Sequence, residues 1–293
     1  MEMFSSIAEL VSMAQDRGLS ISDVAIDEEM KRYHETREEV WTKMSKNLQT
    51  MKSAVERGSQ GKGVFSKTGL TGGEAALLEN YRKTRTSLSG DAMLEAVVAA
   101  MATNEVNAAM GIICATPTAG SSGTLPGVIV VLKNRLGLDD DKLIHCLFTA
   151  AAFGLVTANQ AMIAGATGGC QAEVGSASGM AAAAAVEGAG GDPATCAQAF
   201  AIALSNLLGL VCDPVAGLVE VPCVKRNAIG TANALVAADI ALSGGVSQIP
   251  PDEVIGAMKS IGESMPSSLR ETGIGGLAGT PTGKRFRKTV FNK

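Results

Sequence analysis

Few side chains in this 293-residue sequence can do chemistry. There are two histidines, so a Ser-His-Asp or Cys-His arrangement would have to use His34 or His145. His34 falls in a charged helical pattern and reads as a surface residue. His145 begins an uncharged pattern and reads as a core or helix-end residue. Walker, Gly-x-Gly-x-x-Gly, His-Glu-x-x-His, Gly-x-Ser-x-Gly and Cys-x-x-Cys patterns are all absent. The six cysteines therefore carry most of the interest. Cys114, Cys146 and Cys196 lie within or at the ends of apolar helical patterns and read as core thiols. Cys170 follows two glycines in Gly168-Gly169-Cys170-Gln171-Ala172-Glu173, and Cys212 and Cys223 each sit beside a proline or a helix end. Thiols at helix termini are chemically poised. Three loop cysteines without histidine suit iron–sulfur ligation better than zinc, and buried small hydrophobic residues are the other reading.

A second candidate is the run Pro117-Thr118-Ala119-Gly120-Ser121-Ser122-Gly123-Thr124-Leu125-Pro126-Gly127. Two prolines stiffen it, and its glycines and hydroxyls leave backbone N–H groups free ahead of a helical pattern. Such a nest suits a carboxylate or phosphate; an ordinary helix connector has the same composition.

The elements that must position these residues read as helices. Apolar residues recur at helical spacing over residues 7–15, 22–57, 73–86, 91–114, 128–136, 139–157, 175–187, 193–210, 224–242 and 252–263. Ser22 is the expected cap of the long second segment, in which Val40, Met44, Leu48, Met51 and Val55 form the apolar stripe. No run of alternating β-branched residues persists, and no sequence repeat is found. Aromatics are only 3% of the chain, whereas Gly numbers 34 and Ala fills whole stretches, a composition that packs helix on helix at close range. The expectation is an all-α fold of about ten helices: a single compact multi-helix domain with an Ala/Gly-rich core from about residue 74 to 265 and functional Gly-rich loops. Residues 1–58 form a helical N-terminal arm, and residues 284–293 a solvated basic tail.

Three motifs together resemble a known family. They are Pro117-Thr118-Ala119-Gly120-Ser121-Ser122-Gly123, Gly168-Gly169-Cys170-Gln171-Ala172-Glu173-Val174-Gly175-Ser176, and Cys212-Asp213-Pro214-Val215-Ala216-Gly217-Leu218-Val219-Glu220-Val221-Pro222-Cys223. They closely resemble the α chain of iron–sulfur-dependent bacterial L-serine dehydratase, and the resemblance extends over essentially the whole chain. The intervals of 42 residues from Cys170 to Cys212 and 11 from Cys212 to Cys223 match the family's three cluster ligands. Arg226-Asn227 and Gly275-Gly276-Leu277-Ala278 are similar as well.

The resemblance implies a [4Fe–4S] enzyme, without pyridoxal phosphate, that converts L-serine to pyruvate and ammonia. Cys170, Cys212 and Cys223 would hold the cluster and leave one iron open as a Lewis acid for the substrate hydroxyl. Thr118, Gly120, Ser121 and Ser122 would receive the substrate carboxylate. Asn107 and Arg226 are further candidates for orienting it, and Glu173 for supporting the site. The Ser-His-Thr motif of the fused form's second domain is not found in this sequence, which implies the two-chain type, an L-serine dehydratase β chain as partner and a higher oligomer of αβ units. Lys67, on the Gly-rich stretch 58–73, reads as a lid contact or a solvated residue.

Charge and hydropathy bound the rival readings. With 25 basic and 29 acidic residues the net charge is −4, which offers no global attraction to nucleic acid or anionic lipid. Mean hydropathy is +0.20, and residues 143–171 carry no charged side chain, so a small-residue membrane bundle must be weighed. Asn159, Gln160 and a Gly-rich break interrupt that stretch, and no aromatic belt or basic flank marks it. No signal-peptide pattern is seen, so the expectation is a cytoplasmic chain with reduced thiols and no membrane association. A helical scaffold subunit with a structural thiol or zinc site is the remaining alternative.

Overall fold

The computed structural model describes residues 4–291, which form thirteen α-helices with short 3-10 and π segments and no strand. Side-chain caps set the first helices. Ser6 starts α1 (Ile7–Arg17) and Ser20 starts α2 (Ile21–Tyr33), each hydroxyl accepting from the backbone N–H three residues on. Thr36 and Glu39 form a reciprocal capping box at the start of α3 (Arg37–Ser59).

The single helix expected over residues 22–57 is therefore two. The chain leaves α2 at His34, which takes a left-handed φ of 56°, and the capping box restarts it. The cap is Ser20, not Ser22, whose hydroxyl meets His145 Nδ1 at 2.8 Å. Nor do residues 4–58, the described part of the expected arm, stand apart. Ile7, Leu10, Ile21, Val24 and Ile26 have no exposed surface and belong to the main core cluster.

After a loop, α4 (Glu74–Thr84) leads to α5 (Asp91–Ala108), α6 (Thr124–Leu136), α7 (Asp140–Gln160) and the single turn α8 (Gly165–Gly168). α5 ends six residues short of the expected boundary, so Cys114 lies outside any helix and is half-buried rather than core. The Ala-rich α9 (Ser176–Gly188) is buried along its length from Ser176 to Val186 and packs on α6, α7 and α10 (Pro193–Ser205). A helix apolar on every face must be enclosed by others, and its alanines let them come close. α11 (Cys223–Leu242) completes this layer against α5 and α9.

α12 (Pro251–Ser264) and α13 (Pro281–Phe291) follow. The expected basic tail is thus helical through Phe291; its last two residues, 292 and 293, lie outside the described part. By length and composition α7 alone among the described helices could cross a membrane, but 67% of its apolar window is buried inside the protein, against α2, α3 and α9.

One functional consequence of this packing is a turn of α5. α5 begins at Asp91 and runs toward the loop of residues 117–127, carrying Asn104, Glu105 and Asn107 on its last turns. Glu105 is fully buried. Its Oε1 accepts from the backbone N–H groups of Glu74 (2.8 Å) and Ala75 (3.3 Å), so it caps α4 from another helix. Burial raises its pKa from an ordinary 4.5 to about 7, with the two amides partly opposing the rise. Between those values the folded chain keeps a proton that the unfolded chain releases. Stability from this group is thus full below about pH 4.5 and is lost as pH rises through about 7. In urea unfolding at pH 5 and pH 8, the fall in stability should be on the order of 2 kcal/mol larger in the wild type than in Glu105→Gln.

Candidate active site

Cys170 comes from the connection between α8 and α9, Cys212 from that between α10 and α11, and Cys223 from the end of that second connection, and the fold buries all three. Cys170 follows α8 and is succeeded by one π-helical turn, Gln171–Gly175, that runs directly into α9. Such turns insert an extra residue per turn and recur at functional sites. Gln171 anchors this one. Its Nε2 donates to Gly168 O and Met258 O, each at 2.9 Å, and its Oε1 accepts from Gly209 N–H at 2.8 Å.

Cys212 lies where the chain runs alongside residues 269–271. Its N–H donates to Leu269 O at 2.8 Å, and its carbonyl accepts from Glu271 N–H at 2.7 Å. Cys223 is the first residue of α11, after a turn that includes the 3-10 segment Val215–Gly217.

The thiols lie close enough to act on one another. Burial pushes Cys170 up to about 12, and Arg226 beside it opposes the rise. Cys212 and Cys223 are also pushed up, first by burial and then by the charge that Cys170 and Glu173 would carry. All three are therefore neutral thiols in the metal-free chain at ordinary pH, and a metal must displace their protons to bind. Arg226 supplies fixed positive charge. Its Nη1 donates to Val211 O at 2.7 Å and its Nη2 lies 2.8 Å from Asp213 Oδ1.

The loop of residues 117–127 closes one side. Asn104 Nδ2 donates to Gly120 O at 3.2 Å, and Asn107 Nδ2 to Ala119 O at 3.1 Å. From α11, buried Asn227 donates to Gly120 O (2.7 Å) and Cys223 O (2.9 Å), while its Oδ1 accepts from the N–H groups of Gly123 (2.9 Å) and Thr124 (3.1 Å). At Gly123 a Cβ would stand 2.1 Å from Ala100 O, so only glycine lets the loop lie this close to α5. Among the described residues the amides of Ala119, Gly120 and Ser121 form no hydrogen bond, which leaves three consecutive N–H groups for an anion.

Glu173 joins loop and thiols. Thr118 Oγ1 donates to its Oε1 at 2.7 Å, and Cys212 Sγ lies 3.9 Å from its Oε2. Burial raises its pKa, against the bond from Thr118. Glu173, Cys212 and Glu271 each place a ligand atom within 4.8 Å of the others. Gly165 lets Glu173 and Cys212 pack closely against its backbone, since a Cβ there would come within 2.7 Å of Glu173 Oε2 and 2.8 Å of Cys212 Sγ. Three buried sulfur donors with no histidine among them suit an iron–sulfur group.

The residues singled out in the sequence divide by what they touch. Cys170, Cys212, Cys223, Arg226 and Glu173 share one neighbourhood, and Thr118 and Gly120 border it. Ser121 is occupied within its own loop, donating to Thr116 O at 2.9 Å, and Ser122 Oγ is buried with no partner. Asn107 grips the loop from behind. Cys146 and Cys196 are buried in the main core. Asn227 and Glu271 were missed as working residues. The pairing of Arg226 with Asn227 was the only hint of the first, and nothing local signals the second.

Comparisons with known proteins show the chain's family. The family model described as serine dehydratase alpha chain matches residues 16–278. The probable L-serine dehydratase, alpha chain, of Bacillus subtilis is 57% identical over 99% of this chain and 96% of its own length. The L-serine dehydratase, alpha chain, of Peptoniphilus asaccharolyticus is 42% identical over 99% of both. L-serine dehydratase 1 of Escherichia coli is 35% identical over 94% of this chain but only 61% of its own length. The chain thus belongs to the serine dehydratase alpha chain family.

Proposed function

We propose that this chain is the cluster-bearing catalytic subunit of an L-serine ammonia-lyase, converting L-serine to pyruvate and ammonia together with a β chain. The observation that carries the reading is the burial of Cys170, Cys212 and Cys223, from two connections distant in sequence, in one neighbourhood beside the loop of residues 117–127. The names of the relatives support the substrate, and their designation as alpha chains supports a partner.

Cys170, Cys212 and Cys223 would hold a [4Fe–4S] cluster as thiolates, with Arg226 offsetting their charge. Bound there, the cluster would supply an iron without a protein ligand, a Lewis acid for the serine hydroxyl. The chain's own residues then bind and orient. The free amides of Ala119, Gly120 and Ser121 receive the substrate carboxylate, and Asn104, Asn107 and Asn227 hold that loop rigid so that no reorganisation is needed on binding. Thr118 fixes Glu173 at the floor of the site.

The chain, loaded with ferrous iron and sulfide under anaerobic conditions, should turn brown and bleach in air. Pyruvate formation from L-serine should reach its full rate only when the β chain is added. A colourless protein, or full activity from the chain alone, refutes the corresponding half of this reading.

The close set Glu173, Cys212 and Glu271 favours a second reading, a single-ion site. That site uses one thiol of the three, so it predicts that Cys170→Ser and Cys223→Ser keep their metal.

A further inference from the structure

The Gly-rich stretch before α4 was left without a role by the site. In the structure its residues 64–73 form a small hairpin. Phe65 pairs with Gly72, Ser66 N–H donates to Thr71 O at 3.0 Å, and Gly73 N–H donates to Val64 O at 2.9 Å. Lys67, near its tip, is exposed. Its neighbour Thr68 is not free: Thr68 Oγ1 lies 2.9 Å from Glu220 Oε1 and 2.8 Å from Oε2, across 152 residues of sequence. The same hydroxyl lies 3.0 Å from Ser66 Oγ and accepts from Leu70 N–H at 3.1 Å, so it is aimed by its own hairpin.

Glu220 stands three residues before Cys223 and is 5% exposed. Its backbone carbonyl accepts from Val224 N–H at 3.1 Å, which starts the helix that Cys223 opens. An ionised carboxylate has room for about four hydrogen bonds. Thr68 is the one donor found for this one among the described residues. The hairpin's far end is equally fixed, because α4 begins at its base with its amides on Glu105, and Glu74 pairs with Lys225 of α11 at 2.8 Å.

We infer that Thr68 is a positioning residue: through Glu220 it braces the turn that delivers Cys223, so the hairpin sets how firmly that thiolate holds the cluster. The inference rests on the iron–sulfur reading above. A buried carboxylate that loses its donor carries an uncompensated desolvation cost, which a shift of the turn to which Cys223 belongs relieves. Groups that support a metal ligand from behind typically contribute about ten- to a hundredfold in metal retention. Valine matches threonine in shape and lacks the hydroxyl; serine keeps it.

The test compares wild type, Thr68→Val and Thr68→Ser, loaded anaerobically and then exposed to air or a chelator while the brown colour is followed. Thr68→Val should lose its cluster roughly tenfold faster than wild type, and Thr68→Ser at close to the wild-type rate. In the iron-free proteins, alkylation of Cys223 should quicken in Thr68→Val, with Cys146 and Cys196 unchanged. Equal rates of loss in wild type and Thr68→Val overturn the inference, as does equally fast loss in Thr68→Ser. Faster alkylation of Cys146 and Cys196 also overturns it, since the hydroxyl then serves general stability. A wild-type chain that never turns brown refutes the iron–sulfur reading itself, and the inference falls with it.

Discussion

Cys170→Ser, Cys212→Ser and Cys223→Ser are each expected to lose the iron and to cut L-serine turnover on the order of a thousandfold or more, the scale of removing a decisive transition-state contact. Two thiolates hold a four-iron group poorly, and serine is too hard and too weakly acidic a donor to replace the third. Cys146→Ser and Cys196→Ser should keep the iron. Both thiols lie in the main core, so their cost is that of burying a hydroxyl, about 1–3 kcal/mol, read as a lower urea midpoint. Cys114→Ser should change little, because the side chain is half-buried outside any helix. Iron content by chelator assay and pyruvate formation with the β chain separate the two groups. Retention of iron by any of the first three variants would break the ligand assignment.

The second large effect is expected at Asn227. One side chain serves both halves of the site, donating to Gly120 O and Cys223 O and accepting from the amides of Gly123 and Thr124. Asn227→Ala leaves Gly123 N–H without its partner in a position with no access to water, and weakens the hold on the other three groups. The expected cost is about 3 kcal/mol, seen in the urea midpoint. Asn227→Asp is nearly the same shape and keeps the acceptor, but it turns a carboxylate oxygen toward two carbonyls. Both variants should lose on the order of a hundredfold in kcat/KM, because the loop of residues 117–127, proposed to hold the substrate carboxylate, no longer sits at a fixed distance from Cys223. Near wild-type turnover in Asn227→Asp would show that the donor bonds to Gly120 and Cys223 do not position the loop.

Much of the fold was legible because its signals are local. The helical period located nearly every helix, and an Ala-rich stretch with no polar face had to be central, as α9 is. What was misread was also local but of another kind. The break after Tyr33 is written in Thr36 and Glu39, a start signal that a continuous apolar stripe conceals. The last helix was hidden because its basic residues read as solvated, whereas α13 rests on the turns at Val215–Gly217 and Gly276–Gly279 through the rest of its surface.

By itself the sequence determined the all-α class, the three exceptional cysteines and the loop of residues 117–127, because residue type, helical period and motif spacing are properties of the chain as written. Only the tertiary structure decided that those cysteines share a neighbourhood with Glu173 and Glu271, that Asn227 ties Cys223 to the loop of residues 117–127, and that Thr68 reaches Glu220. These contacts join residues tens to hundreds of positions apart. Their cause is the packing of whole helices around α9, where a buried polar group must find its partner on whichever element the core brings near.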